Sequence, residues 1–376
     1  MPILDLTWIA LIVASILASW LSPVAYRPWA IATVTLLYLG LSEPPSVLFI
    51  AAMTALTIVS GSRSSQKGLG AAATIVLVMG TLAVFKLAGS EPGGLAIPLG
   101  MSYYTFRCVH YLLERVKQKL PPHTTSEFVA YMFFLPTFIA GPIHRFPEFH
   151  RDFRRTRFNA ELLSAGLERI LYGYAKILIL ANFLLGQHLK PVIDQLAAES
   201  PRASAYLAML VGGFTGYLLF AGYSDVAIGA ARLMGFRVIE NFNNPFISRN
   251  IIEFWQRWHI SLTSWVRDYL YTTVFSLTRK PYVAALAAML VIGLWHEVSA
   301  RYVIWGLVHG VAILLCQWYQ RRRGQGPDGS PARSGIVGRF AAWFVTFHFV
   351  MLSIVMVQYD TAGALRIYAT LLGVSR

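Results

Sequence analysis

The feature that most constrains this chain is a set of apolar runs as long as a membrane-spanning helix. Five runs contain no Lys, Arg, Asp or Glu, and they cover residues 44–62, 68–85, 203–224, 302–320 and 340–359. Each is close to the roughly 20 apolar residues that a helix needs to cross the hydrocarbon core of a bilayer. The sequence therefore predicts several transmembrane helices.

Shorter or once-interrupted apolar segments raise the predicted number of spans to about ten by the same criterion. They lie near residues 3–21, 29–42, 95–113, 165–189 and 281–296. Only 13% of the residues are charged and 56% are hydrophobic, whereas a soluble domain carries roughly 25% charged residues. We predict an all-α polytopic membrane protein that forms a single integral membrane domain over residues 1–376.

The formal net charge of +14 lies mainly in the connections between the apolar segments. Basic clusters occur at residues 63–67, 115–119, 151–157 and 321–333. Because Lys and Arg concentrate in the cytoplasmic connections of membrane proteins, these clusters predict cytoplasmic loops. The distribution indicates a lipid bilayer as the partner and excludes nucleic acid.

Residues 128–143 break the expected alternation of sides, because they lie between two basic clusters that should both be cytoplasmic. Pro136, Gly141 and Pro142 interrupt the apolar run, which is consistent with a re-entrant hairpin that enters and leaves on the same face. An ordinary kinked span with an exception to the charge rule is the alternative. The sequence favours neither.

The remaining composition indicates no second domain and no metal site. Residues 321–335, RRRGQGPDGSPARSG, predict a flexible cytoplasmic loop because they are rich in Gly, Pro, Ser and Arg. Cys108 and Cys316 both lie in apolar runs and indicate neither a disulfide framework nor a metal cluster. We expect no metal and no permanently bound cofactor.

The densest set of polar and aromatic residues lies in residues 241–272, NFNNPFISRNIIEFWQRWHISLTSWVRDYLYT. After the break at Asn244 and Pro245, the segment predicts one helix whose charges are too frequent for a lipid-facing span. Helical spacing puts two sets on different sides: Trp255, His259, Thr263 and Val266, and Arg257, Ser261, Ser264 and Asp268. An interfacial helix anchored by Trp and Arg is the alternative to a functional helix in a water-accessible cavity.

A second polar feature follows the apolar run at residues 281–296, where His296 and Glu297 stand at its end. Ionisable side chains are costly in hydrocarbon and therefore indicate a functional site, although a histidine hydrogen-bonded between helices is the alternative. Other histidines in apolar runs, His110, His309 and His348, are expected to pack between helices.

Several long motifs resemble the membrane-bound O-acyltransferase (MBOAT) family: AGPIHRFPEF, GYSDVAIGAARLMGFRVIENFNNPF, EFWQRWHISLTSWVRDYLY and GLWHEVSARYVIWGLVHG. They are similar to its bacterial branch of alginate O-acetylation and teichoic acid D-alanyl transfer, most strongly over residues 97–310. The resemblance implies transmembrane, re-entrant and interfacial helices around a central funnel in a bacterial inner (cytoplasmic) membrane. It also implies two central histidines, which match His296 of LWH and His259 of RWHISL.

The chain departs from the family pattern at two places. Relatives usually have a glycine-rich turn after DYLY, where this chain has TTVFSLTRKPY, and a glycine after LWH, where it has Glu297. Both changes concern the identity of donor or acceptor more than the class of reaction. The chain is also short for the alginate branch, so helices at the end of larger relatives are expected to be missing.

The reaction that the family implies, transfer of an acyl group from a cytoplasmic thioester to a hydroxyl, needs a base and stabilisation of an oxyanion. Neutral imidazole, with a reference pKa of about 6.5, suits removal of the hydroxyl proton. We assign that role to His296. His259 is expected to orient or polarise a reactant or to hold a partner group, and the lack of a serine nucleophile motif favours direct transfer.

Further candidate residues surround these histidines in sequence. Candidates for the substrate or donor tunnel are Asn244, Trp255, Trp258, Ser261, Asp268, Trp295 and Glu297. Candidates for contact with donor phosphates or an acidic carrier protein are Arg145, Arg154, Arg155 and Arg157, which the positive-inside rule also explains. Asp225 is expected to pair with Arg232 or Arg237, and Asn241, Asn243 and Asn244 to cap or turn the backbone.

We predict a membrane O-acyltransferase, specifically an O-acetyltransferase that uses acetyl-CoA or an acyl carrier thioester. The acceptor would be a hydroxyl of an exported polysaccharide or cell-envelope glycan, reached directly or through a periplasmic acetyltransferase partner. Acyl transfer to a protein or small lipid is one alternative. A transporter or flippase is another, but it predicts inverted repeats that the sequence does not contain.

Overall fold

The structure is a computed structural model that describes residues 6–63, 68–89, 97–155, 158–322 and 335–374. Within these ranges every regular element is a helix and none is a strand, which confirms the all-α prediction. Most of the predicted loop at residues 321–335 lies outside the described residues.

Among the described residues, six helical stretches are long and apolar enough to cross a membrane: Pro44–Gly61, Leu69–Ala88, Ala160–Glu199, Pro201–Leu233, Ala300–Arg322 and Ile336–Gln358. Two shorter apolar helices, Leu6–Leu21 and Pro281–His296, add to them. These helices give the chain a multi-pass membrane architecture, as predicted.

The described chain divides into two compact units, of which the first comprises Met1–Tyr174 and Gly222–Glu240. Its helices are α1 (Leu6–Leu21), α2 (Arg27–Ser42), α3 (Pro44–Arg63), α4 (Leu69–Ala88), α5 (Met101–Val116), α6 (Thr125–Met132), α7 (Phe146–Arg155) and α8 (Ala160–Tyr174). The last part of α10 (Pro201–Leu233) completes this unit. The prediction of a single domain stays a prediction.

Residues 128–143 do not form a spanning helix. Helix α6 ends at Met132, one 3-10 turn covers Leu135–Thr137, and the rest of the segment is irregular. The kinked-span alternative is therefore wrong, because the helical part of the segment is too short to cross a bilayer. Entry and exit on the same face stays a prediction.

The buried guanidinium of Arg107 holds this irregular segment in place. It donates hydrogen bonds to the carbonyl oxygens of Tyr131 and Met132, both at 3.0 Å, and to the carbonyl and hydroxyl oxygens of Thr137. Buried irregular backbone is tolerated where protein satisfies its polar groups, and Arg107 does so for these three carbonyl groups.

An ion network near the end of α10 differs from the predicted one. Asp225 pairs with Arg169 at 2.7 Å, and Arg169 also pairs with Glu240. The expected partners make other contacts, because Arg232 approaches Glu240 at 3.4 Å and the backbone N–H of Arg237 donates to Asp152. The structural role predicted for Asp225 thus involves a residue that is distant in sequence.

The second unit comprises Ala175–Ala221 and Asn241–Arg376. A π-helix (Ala175–Leu189), α9 (Lys190–Glu199) and the first part of α10 begin it. It continues with α11 (Ile251–Arg257), α12 (Ile260–Val266), a π-helical turn (Arg267–Tyr271), α13 (Thr272–Thr278), α14 (Pro281–His296), α15 (Ala300–Arg322), α16 (Ile336–Gln358) and α17 (Thr361–Leu372). Both predicted catalytic histidines lie in this unit.

Candidate active site

The helix is interrupted at His259, so the prediction of one continuous helix in this region is wrong. Helix α11 ends at Arg257, and His259 has the left-handed backbone angles φ 45° and ψ 51° before α12 begins. The stripes expected from one helical period therefore do not exist across this point. Histidine is one of the residues that adopts the left-handed region more readily than most, although at a steric cost.

Two backbone hydrogen bonds clamp this break to residues 241–243. The N–H of Ile260 donates to the carbonyl oxygen of Asn241 at 2.9 Å, and the N–H of Asn243 donates to the carbonyl oxygen of Arg257 at 2.9 Å. A strained backbone conformation persists when the surrounding structure over-determines it. The paired segments thus fix where the imidazole of His259 leaves the main chain.

The side chain of His259 is buried, with only 1% of its surface exposed. Its Nδ1 lies 3.2 Å from Oδ1 of Asn241, and Ser261 donates to the same oxygen from its hydroxyl at 2.7 Å and from its N–H at 3.3 Å. Nε2 of His259 is also buried and has no hydrogen-bond partner. Nδ1 is therefore held by a hydrogen bond within the protein, whereas Nε2 is available to a bound group.

His296 lies at the end of α14 and, unlike His259, is exposed. Its ring centroid is 4.7 Å from that of Trp295, 5.7 Å from that of Tyr302 and 5.8 Å from that of Trp305. Because the chain turns between Glu297 and Ser299, α15 brings Tyr302 and Trp305 back against the end of α14. The exposed imidazole is thus accessible and laterally supported by aromatic rings.

Small residues let α14 and α15 approach closely enough to build this arrangement. A Cβ added at Gly306 would lie 2.7 Å from the carbonyl oxygen of Met289, and one added at Gly310 would lie 2.9 Å from Cδ2 of Leu286. Real Cβ atoms do not approach other atoms so closely. Gly306 and Gly310, the latter directly after His309, therefore permit close packing of α14 and α15.

The two histidines are connected through Trp295. The ring of His259 lies 6.0 Å from that of Trp295, which in turn contacts His296. Burial, and to a smaller degree the neighbouring His296, lowers the pKa of His259, which lies between two short helices and outside the apolar spanning helices. The structure therefore combines a buried, neutral imidazole with an exposed one.

His309 has the surroundings expected of a packing residue. It is 1% exposed, its Nε2 lies 3.0 Å from the hydroxyl of Ser353, and its ring contacts those of Trp305 and Trp255 at 4.6 and 5.3 Å. The packing role stays a prediction.

The indole N–H groups of Trp255 and Trp305, near these histidines, are buried and have no hydrogen-bond partner. The sequence indicated Trp255 but missed Trp305, because an aromatic residue in an apolar helix resembles ordinary core packing. Only its position in the second turn of α15, the helix that follows the LWH histidine, could have suggested a role. A buried donor without a partner in the protein is available to a bound group.

Glu297 forms an ion pair with Arg301 at 2.7 Å, one turn later. Arg301 also donates to the carbonyl oxygen of Tyr359, and its guanidinium lies 5.0 Å from the ring centroid of Tyr302. Sequence reasoning missed Arg301, although its spacing of four residues from Glu297 was a signal for such a pair. The pair places both charges close to the aromatic support of His296.

The remaining tunnel candidates have structural contacts. Asn244 has a left-handed φ of 44° before the 3-10 turn Pro245–Ile247, as expected for a turn residue. The ring of Trp258 packs on Phe242 and Phe254 with centroids 5.1 and 5.5 Å apart, and Asp268 pairs with Arg267 at 3.0 Å. These contacts do not test a role in binding substrate.

Three of the basic candidates, Arg145, Arg154 and Arg155, lie in the first unit. Nε of Arg154 pairs with the buried carboxylate of Glu127 at 2.6 Å, and Glu127 also closes a capping box with Thr124 at the start of α6. Burial opposes ionisation of Glu127, but the hydrogen bond from Thr124 and the charges of Arg154 and His150 outweigh it and lower the pKa of Glu127. Arg155 is exposed, and Arg157 lies outside the described residues.

Among the described residues, no group of three or more His, Cys, Asp or Glu side chains is placed to hold a metal ion. The site is thus built on a helical membrane chain and contains two histidines whose rings both contact that of Trp295. Residues 94–358 match the membrane-bound O-acyltransferase family, and the chain belongs to this family. The match confirms the resemblance seen in the motifs.

Individual relatives fall in the predicted branch. The chain is 34% identical over 271 residues to the probable alginate O-acetylase of Pseudomonas aeruginosa, covering 70% of this chain and 49% of that protein. It is 34% identical over 299 residues to the protein of the same name from Pseudomonas putida, covering 77% and 59%. It is 32% identical over 276 residues to the teichoic acid D-alanyltransferase of Streptococcus thermophilus, covering 68% and 66%. The chain spans about half the length of the curated alginate relatives it matches.

Proposed function

We propose that this protein is an O-acyltransferase, specifically an O-acetyltransferase, of the bacterial inner membrane. It moves an acyl group from a cytoplasmic thioester, either acetyl-CoA or an acyl carrier thioester, to a hydroxyl of an exported polysaccharide or cell-envelope glycan. Membership of the family supports the reaction class, and the relatives named above support a glycan acceptor. The observation that carries the proposal is the pair of histidines, one exposed and one buried, around Trp295.

His296 acts as the general base in this proposal. Its exposure lets an acceptor hydroxyl approach, and its aromatic neighbours restrict the orientation of the ring. The imidazole takes the hydroxyl proton while the oxygen attacks the thioester carbonyl, and the proton then passes to the departing thiolate. General base catalysis of this kind contributes roughly 10²- to 10⁴-fold in rate.

The negative charge that develops on the carbonyl oxygen needs a hydrogen-bond donor that is already in place. The indole N–H of Trp305 meets this need, because it is buried without a protein partner and its ring contacts that of His296. Trp255, whose ring centroid is 5.9 Å from that of Trp305, carries a second such N–H group. We assign Trp305 to the oxyanion because of its contact with the base.

Basic side chains on and beside α7 would contact the donor. Exposed Arg155 on α7, together with Arg145, would meet the phosphates of coenzyme A or the acidic surface of a carrier protein. A periplasmic acetyltransferase partner would complete transfer if the glycan is not reached directly. No permanently bound cofactor takes part in this scheme.

Mass spectrometry of envelope glycans tests the proposal. Cells that lack the gene, and cells that carry only His296→Ala, should both lose an ester-linked acetyl signal that the wild-type gene restores. An unchanged glycan profile in the deletion strain would contradict a glycan acceptor and direct attention to an acylated protein or lipid, which the same spectra of those fractions would reveal.

A further inference from the structure

We infer that Asn241 is a positioning residue that keeps the proton of His259 on Nδ1 and so presents Nε2 as a hydrogen-bond acceptor to a bound reactant. The inference rests on the proposed function for its kinetic consequence, although the tautomer itself can be measured without any reaction. Asn241 is fully buried and lies 18 positions before His259 in the chain.

The orientation of the Asn241 amide follows from a backbone donor. The N–H of Ser261 points at one end of this amide at 3.3 Å, and a backbone N–H can only donate. The atom that it meets must therefore be the oxygen and not the nitrogen. The hydroxyl of Ser261, at 2.7 Å from the same atom, is consistent with this orientation.

The tautomer of His259 follows from that orientation. An amide oxygen is an acceptor only, so Nδ1 at 3.2 Å must carry a hydrogen if the two atoms are to attract each other. Burial favours the neutral imidazole, which has one N–H. Nε2 must then carry a lone pair.

The lone pair on Nε2 determines what His259 can bind. Nε2 is buried and has no partner, and a buried polar atom without a hydrogen bond is costly. A group that donates a hydrogen, such as the hydroxyl of the acceptor substrate, would satisfy it, whereas an oxyanion would be repelled. His259 thus orients the acceptor hydroxyl, and the oxyanion must find its donors elsewhere.

Asn241 also holds the backbone from which this ring projects. Its carbonyl oxygen accepts the N–H of Ile260, directly after the left-handed residue. One residue therefore fixes both the position of the His259 main chain and the proton on its ring. The sequence indicated only a cap or turn at this position.

Asn241, and not a neighbouring charged group, determines the tautomer of His259. His296 is the titratable group that acts on it, and the rings of Phe220 and Trp295 pack against it. On the adjoining short helices, Arg257 pairs with Glu253 at 2.8 Å and Asp268 pairs with Arg267 at 3.0 Å. These pairs satisfy the nearby charges among themselves.

The first test is a pH titration of the His259 ¹⁵N NMR signals in purified, ¹⁵N-histidine-labelled Asn241→Asp. A carboxylate beside Nδ1 favours the imidazolium form, so the pKa of His259 should rise, by roughly 1 to 3 units for an opposite charge at this distance. The His259 signals should therefore titrate at higher pH than those of the wild-type protein. A folded Asn241→Asp protein in which His259 titrates as in the wild-type protein would overturn the inference.

Asn250→Ala is the matched control. The Asn250 side chain also accepts a backbone N–H, that of Glu253 at 2.8 Å, where it caps the start of α11. Its loss should lower thermal stability but leave kcat per folded molecule and the titration of His259 unchanged. A shift of the His259 titration in this variant as well would mean that the titration reports general destabilisation, and the inference would fail.

A second measurement does not require Asn241→Asp to fold. Solid-state nitrogen NMR of the ¹⁵N-histidine-labelled wild-type protein distinguishes the two neutral tautomers, and the signal of His259 is assigned by its loss in His259→Asn. Protonated Nδ1 with unprotonated Nε2 is expected, and the opposite tautomer would refute the role of Asn241. This outcome does not depend on whether His296→Ala abolishes transfer, so the two proposals can fail separately.

Discussion

Replacing Trp305 with Phe should separate catalysis from packing, because the substitution keeps a buried aromatic ring and removes only the indole N–H and part of the ring. The N–H makes no hydrogen bond within the protein. Its loss therefore leaves no protein acceptor unpaired, and the cost to stability should come from the small cavity alone. If the N–H donates to the developing oxyanion, kcat should fall roughly 10²- to 10³-fold, which corresponds to about 2.7 to 4 kcal/mol of transition-state stabilisation.

Trp343→Phe supplies the comparison. The indole N–H of Trp343 donates to the carbonyl oxygen of Phe246 at 2.9 Å. Removing it should cost roughly 1 to 3 kcal/mol of stability, because a partly buried carbonyl loses its partner. Turnover per folded molecule should not change.

Both variants are purified in the same detergent and measured for turnover with acetyl-CoA and isolated envelope glycan, and for the midpoint of thermal unfolding. Trp305→Phe should lose turnover with little change in Tm, and Trp343→Phe should lose Tm with little change in turnover. A Trp305→Phe protein with turnover within about threefold of wild type would refute the assignment, since the N–H effect is expected to be at least 10²-fold.

Two further pairs of substitutions test the base and the donor contacts. His296→Ala should abolish acyl transfer at a near-normal folded yield, whereas His309→Ala should lower thermal stability and retain activity per folded molecule; a folded, inactive His309→Ala protein would show that the base is misassigned. Arg155→Gln should raise the apparent KM for the thioester and weaken its salt dependence, because screening acts on exposed charges within about 8 to 10 Å. Arg154→Gln should mainly lower stability, because it leaves a buried carboxylate without its ion-pair partner. An equal increase in KM in both variants would argue against a donor contact at Arg155 and a structural role at Arg154.

Hydrophobicity predicted the helices well, because spans in a bilayer are selected for length and apolarity over many residues. All ten apolar segments contain helix, within the residues that the structure describes. The prediction failed at residues 241–272, where helical periodicity continues through His259 without any proline or glycine to signal the break. Backbone hydrogen bonds with Asn241 and Asn243, which are distant in sequence, stabilise that break.

The two histidines could be predicted from their motifs, but their different surroundings could not. The burial of His259 and the exposure of His296 depend on how α11, α12, α14 and α15 pack. Arg169 as the partner of Asp225 and Asn241 as the partner of His259 are likewise contacts between residues far apart in the chain. Local pattern contains no information about such pairs when no covarying sequences are compared.

The left-handed conformation of His259 affects how its substitution should be interpreted. A residue at this position must adopt the left-handed backbone conformation and also supply the imidazole. Replacement by Ala or by a β-branched residue disfavours that backbone conformation and removes the imidazole at the same time. Asparagine tolerates the same φ and ψ but cannot take up a proton near neutral pH. His259→Asn is therefore the replacement whose kinetic defect can be attributed to the loss of the imidazole, and an inactive alanine variant would leave chemistry and backbone geometry confounded.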